Sequence, residues 1–142
     1  MGLGSKCNNT IYLKGDRFLT EHNEDQKKKI AFFSTIAPGD TARIETMLGY
    51  ARAAAAMDYE ILIFYALDSA LVAKRQIFEK MDFKIRNGIN DCLADGVMMH
   101  VCSASAQTFG IAESDVIEGA EIGGIASFYL YAENADIVLS WS

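Results

Sequence analysis

The stretch Val97-Met-Met-His-Val-Cys102-Ser-Ala-Ser-Ala-Gln-Thr108 decides the fold class. Its first half is apolar on both alternating sets of positions, broken only by His100, which is the pattern of a strand buried on both faces of a parallel sheet. Its second half is a run of small residues and hydroxyls, which suits a tight exit from the strand into a helix. Immediately upstream, Gly88 to Asp95 reads as a short amphipathic helix whose Ile89, Cys92 and Leu93 share a face, and Gly96 ends it.

The same alternation extends in both directions. Toward the N-terminus, Tyr59 to Tyr65 reads as a second buried strand, followed by helical spacing from Leu67 through Lys80. Before that, the apolar run Ile30 to Phe33 opens into Ser34-Thr35, and Pro38-Gly39-Asp40-Thr41 signals a turn and a helix start. Ala42 to Met57 is rich in helix formers, and Ala53 to Ala56 let that helix lie close to a sheet. Toward the C-terminus, the sequence predicts a short helix after Cys102, a turn near Gly110, and an acidic segment holding Gly119, Gly123 and Gly124. A helix over Ile125 to Asn134 and a strand over Ile137 to Ser140 complete it. Strands alternating with helices imply an α/β domain with a mostly parallel sheet covered on both faces. Residues 1–28 are polar and read as a loosely attached arm, leaving 29–142 as the single domain.

Composition bounds the function. A chain of 142 residues with 51% hydrophobic and 23% charged residues suits one globular core. A net charge of −6 argues against nucleic acid, because phosphate binding needs clustered Lys and Arg. Lys27-Lys28-Lys29, the one basic run, reads as a solvated entry to the first strand. No stretch supplies the ~18 uninterrupted apolar residues of a membrane span, and Met1 to Asn9 lacks the apolar region of a signal peptide, so no stable membrane insertion and a cytoplasmic location are expected. Three cysteines, Cys7, Cys92 and Cys102, lack CxxC spacing and fit free thiols better than a disulfide framework or a metal site.

Cys102 is the candidate for chemistry. In open parallel sheets, reactive groups gather at the carboxyl ends of strands, where helix N-termini turn their amides inward. A thiol there is biased toward thiolate, and Ser103 and Ser105 are candidate hydroxyl donors to it. His100, two residues earlier in an extended backbone, points to the same face and is placed to assist. Against this, free cysteine is among the most often buried residues, and a strand histidine is commonly a packing residue, so the residues alone leave both readings open. Cys92 reads as core. Glu121, beside Gly123-Gly124, is the carboxylate expected to approach the thiol loop. Phe128, Tyr129 and Tyr131 read as packing residues. The glycines form neither GxGxxG after a strand nor a GxxxxGK[ST] loop, so no nucleotide site is supported.

The stretch His100 to Ile111, followed by Asp115 to Gly119 and by Glu121-Ile-Gly-Gly-Ile-Ala-Ser127, resembles the DsrE/DsrF-like family, particularly a branch carrying a peroxiredoxin label. The resemblance spans about residues 29 to 141 and includes the Gly39-Asp40 turn, the alanine-rich helix and the Glu60 to Phe64 strand. It implies a three-layer α/β/α, flavodoxin/Rossmann-like fold and assembly into homo-oligomers, trimers or hexamers. It also implies sulfur relay through a persulfide on the matching residue, Cys102, without metal or organic cofactor. The sulfur donor would be a rhodanese-type protein and the acceptor a TusA-like one. The motif holds no second cysteine, which weakens the peroxiredoxin label. Two other functions compete with the sulfurtransferase reading: a thiol peroxidase, which needs a resolving thiol from Cys92, Cys7 or another subunit, and a non-catalytic oligomeric module that binds a ligand or partner.

Overall fold

The computed structural model describes residues 26–142, so the arm and Cys7 lie outside the described residues except for Gln26 to Lys28. Five strands form one sheet: β1 (Lys29–Ser34), β2 (Glu60–Tyr65), β3 (Met98–Cys102), β4 (Ala120–Gly123) and β5 (Ile137–Trp141). Their spatial order is β4-β3-β2-β1-β5, and every neighbouring pair is parallel. Parallel pairing requires a crossover after each strand, and the chain supplies one each time. The α/β reading of the sequence is therefore correct, and the sheet is parallel throughout.

The two faces are unequally covered. On one, α1 (Thr41–Ala56) buries Ile44, Met47, Leu48, Ala51 and Ala54, a stripe at helical spacing, and α3 (Phe83–Ala94) buries Ile85, Ile89 and Cys92 beside it. These residues join Phe32, Ile61, Ile63, Tyr65, Met99 and Val101 in the main core, to which α4 (Ser103–Thr108) adds Ala106. On the other face a smaller cluster of Ala31, Leu62, Phe64, Ala66, Cys102 and Phe128 forms, and α5 (Ile125–Ala132) is the one helix of the described residues that contributes to it. The α/β/α sandwich thus has a thick layer and a thin one.

Local chemistry accounts for the element ends. Asp40 caps α1 by accepting from the Arg43 amide, and the Arg43 guanidinium hydrogen-bonded to it holds its carboxyl below the usual range. Asp82 caps α3 in the same way through the Lys84 amide at 2.8 Å, and this starts the helix five residues before the Gly88 expected from sequence. The helix expected over Leu67 to Lys80 is not continuous. Leu67 to Ala73 is a 3-10 helix, Lys74 is extended and bridges to Val116, and only Arg75–Phe78 (α2) is α-helical. Arg75 secures that break by donating to the carbonyls of Ser114 and Val116 at 2.6 and 2.7 Å. Tertiary hydrogen bonds override helix propensity there. Among the described residues no helix is long and apolar enough to cross a membrane.

Candidate functional site

β3 delivers Cys102 to its carboxyl end, and α4 begins at the next residue with Cys102 as its N-cap. Strand alternation then sorts the neighbours: Met99 and Val101 enter the main core, while Met98 and Cys102 face the thin layer, and His100 shares their parity. Cys102 is 9% exposed and packs in the cluster that contains Phe64 and Phe128, whose rings lie 5.0 Å apart. The thiol is covered from the β2 side by Phe64 and from α5 by Phe128.

β4 completes the site. The acidic segment around Glu121 was not expected to be a strand, yet it pairs with β3 in a register that sets Glu121 beside His100 and Gly123 beside Cys102. Ala120 and Ile122 turn into the main core, so Glu121 and Gly123 share the thin-layer face with His100 and Cys102. A side chain at Gly123 would meet the His100 ring, with a Cβ 3.3 Å from Nδ1 and 3.6 Å from Cγ. His100 is half-buried, its Nδ1 is sealed from solvent, and that nitrogen has no hydrogen-bond partner among the described residues. Gly124 opens α5, and a Cβ there would lie 3.7 Å from the Ser103 hydroxyl. Six of the expected residues, Cys102, His100, Ser103, Glu121, Gly123 and Gly124, therefore sit around two adjacent strand ends.

Ser105 departs from expectation. Its hydroxyl accepts the Leu67 amide at 2.8 Å and makes no hydrogen bond to the thiol, so it ties α4 to the end of β2 instead of acting as a donor to Cys102. Sequence reading also passed over Leu67, which is 62% exposed and held at a φ of 52°, a conformation unusual for a leucine. No local pattern marks it, because the constraint comes from Ser105, thirty-eight residues away. Tyr129 is a second departure: it is 63% exposed and does not pack inside the chain, whereas Phe128 and Tyr131 do.

Cys92 is core, as expected. It is fully buried, its thiol donates to the Leu48 carbonyl at 3.6 Å, and burial pushes its pKa up to about 12. It lies on the opposite face of the sheet from Cys102, so the two thiols cannot pair within one folded chain.

The DsrE/DsrF-like family model matches residues 28–141. An uncharacterized protein of Methanocaldococcus jannaschii is 27% identical over 143 residues, covering 90% of this chain and 52% of its own length. The chain thus spans about half the length of that curated relative. Among solved structures, the ychN protein from E. coli superposes with a TM-score of 0.65 at 22% identity, covering 80% of this chain and 98% of the other. A protein of unknown function from Methanobacterium thermoautotrophicum reaches the same TM-score at 14% identity, with 80% and 99% covered. Both likenesses concern the fold.

Proposed function

Because the chain belongs to the DsrE/DsrF-like family, which is broadly linked to sulfur relay, we propose that it is a sulfur carrier that holds sulfane sulfur as a persulfide on Cys102. The observation that carries this reading is the position of the thiol: the carboxyl end of a strand, at the N-cap of the next helix, on the thinly covered face of the sheet. In loading, the Cys102 thiolate attacks a sulfane sulfur, a new S–S bond forms at Sγ, and the donor's S–S bond breaks with its electron pair leaving on the donor. In delivery, an acceptor thiolate attacks the outer sulfur and the pair returns to Sγ, so the carrier is unchanged over the cycle.

The reading requires only one thiol. A thiol peroxidase needs a resolving thiol, and the burial of Cys92 across the sheet leaves that role to Cys7 or to another subunit. The expected donor and acceptor are proteins, a rhodanese-type one and a TusA-like one, in the cytoplasm. The exposed apolar side chains of α5 support a homo-oligomer, for which the family resemblance suggests a trimer or hexamer, and equally support a non-catalytic module that works through its interfaces.

Intact mass spectrometry separates these functions. Reduced protein incubated with thiosulfate, tetrathionate or inorganic polysulfide is expected to gain sulfur at one site, and Cys102→Ser to gain none. An unmodified wild type, under conditions that load a known carrier, overturns the proposal. Peroxide turnover that survives Cys102→Ala excludes a peroxidase built on this thiol.

A further inference from the structure

We propose that His100 is the group that binds the outer sulfur of loaded Cys102, and that Gly123 is a positioning residue that leaves room for its ring; this rests on the carrier reading above. His100 Nδ1 is buried without a partner, which native interiors rarely tolerate without a reason. The ring is not randomly placed. Its Nδ1 edge lies against Gly123, the residue opposite Cys102 across the β3–β4 pair and two residues beyond His100's own register partner Glu121, so the imidazole leans along the strand toward the thiol.

The spacing suits the loaded form. Residues two apart on a strand are about 6.6 Å from each other along the chain, and the empty thiol makes no hydrogen bond to the imidazole. A persulfide extends the side chain by one S–S bond, about 2.05 Å, on the same face as the ring. Loading thus brings a sulfur, anionic once deprotonated, toward a nitrogen that has no other partner. With the proton on Nδ1, the ring donates to that sulfur, and no electrons pass through it. The register neighbours of His100 are Phe64 on β2 and Glu121 on β4. The first is an apolar ring that shields the imidazole from water, and the second is an acidic side chain. Glu121 is the titratable residue in register with His100 on the flanking strands, and from α5 Phe128 is buried in the Cys102 cluster with the titratable Tyr131 packed against it.

Gly123 has no positive φ, so its backbone does not call for glycine. What the position excludes is a Cβ, which would press on the ring at 3.3 Å. Sheet geometry alone would accept alanine.

The test uses the full chain loaded with inorganic polysulfide. Persistence of the added sulfur is followed by intact mass, and the pH dependence of persulfide alkylation by iodoacetamide is recorded for wild type, His100→Phe, His100→Gln and Gly123→Ala, with folding checked by circular dichroism. A donor to the anionic sulfur lowers the pH at which it ionises. His100→Phe is therefore expected to load but to lose sulfur ~10-fold faster, with its alkylation midpoint raised by about one pH unit. His100→Gln, which keeps an N–H, and Gly123→Ala, which displaces the ring, are expected to shift the same way by less. A His100→Phe protein that loads and matches wild type in both persistence and midpoint overturns the role of His100 and leaves the carrier reading standing. A wild type that takes up no sulfur overturns the carrier reading itself.

Discussion

Two cysteines in one small domain occupy contrasting positions. Cys92 donates its proton to a carbonyl in the main core, where burial disfavours the thiolate; Cys102 sits at a strand end with only one helix over it. Brief alkylation of native protein is expected to label Cys102 and spare Cys92, which peptide mapping by mass spectrometry checks. The same burial gives Cys92 a pH signature. Its thiol ionises near 9.0 when the chain is unfolded and near about 12 when folded, so the stability it contributes is complete below pH 9. Above that the unfolded state sheds a proton that the native state keeps, and stability falls with rising pH until the folded thiol also ionises. The urea midpoint is accordingly expected to decline from pH 9 upward, and less steeply in Cys92→Ala. A decline of equal slope in both proteins would assign the effect to other groups.

The elements that the sequence concealed are those built by partners distant in the chain. β1, β2 and β3 announce themselves as apolar runs, because a strand covered on both faces has no polar alternation to blur it. β4 does not: Ala-Glu-Ile-Gly is four residues long, three of them polar or small, and becomes a strand because β3 offers it an edge to pair with. That hidden strand carries two of the six residues of the candidate site, so Cys102 and His100 were legible from their own segment while the register placing Glu121 and Gly123 beside them was not. The loop that aims β4 turns on Gly119, whose φ of +97° is left-handed and whose Cβ position lies 3.1 Å from Leu93. Gly119→Ala is expected to destabilise by about 2 kcal/mol, more than Gly110→Ala, where φ is also positive but the space is open; thermal melts of the two variants make the comparison. α5 presents the opposite situation, a helix correctly anticipated whose role was not. Phe128 anchors it against Phe33 and Phe64, with ring centroids 5.3 and 5.0 Å away. Phe128→Ala is expected to cost about 3 kcal/mol and to raise the alkylation rate of Cys102, since the same ring helps cover the thiol. Unchanged thiol reactivity in a clearly destabilised Phe128→Ala would detach α5 from control of the site.

At the scale of the whole molecule, the unequal faces pose a packing problem that one chain leaves unsolved. The thin layer stops at α5, whose outer surface carries Tyr129 and Leu130 at 63% and 65% exposure, and the edge strand β5 adds Val138 at 50%. Scattered apolar residues are ordinary on a protein surface, but a helix that exposes two large ones back to back, beside a half-covered sheet face, fits a surface that is buried on assembly. Charge runs against casual sticking, because copies with a net charge of −6 repel one another unless the apolar contact is specific. Burying Tyr129 and Leu130 against another copy would also confine movement of α5, and with it the cover over Cys102, so assembly and thiol access should change together. Leu130→Glu places a charge where such an interface requires an apolar side chain, and the residue lies outside the cores of the folded monomer. Sedimentation is expected to show wild type as a multiple of 15.6 kDa and Leu130→Glu as the single chain, with unchanged circular dichroism and faster alkylation of Cys102. A wild type that sediments as a monomer would remove assembly from the account of this face. An oligomeric Leu130→Glu protein would move the interface elsewhere on the surface and separate thiol access from assembly.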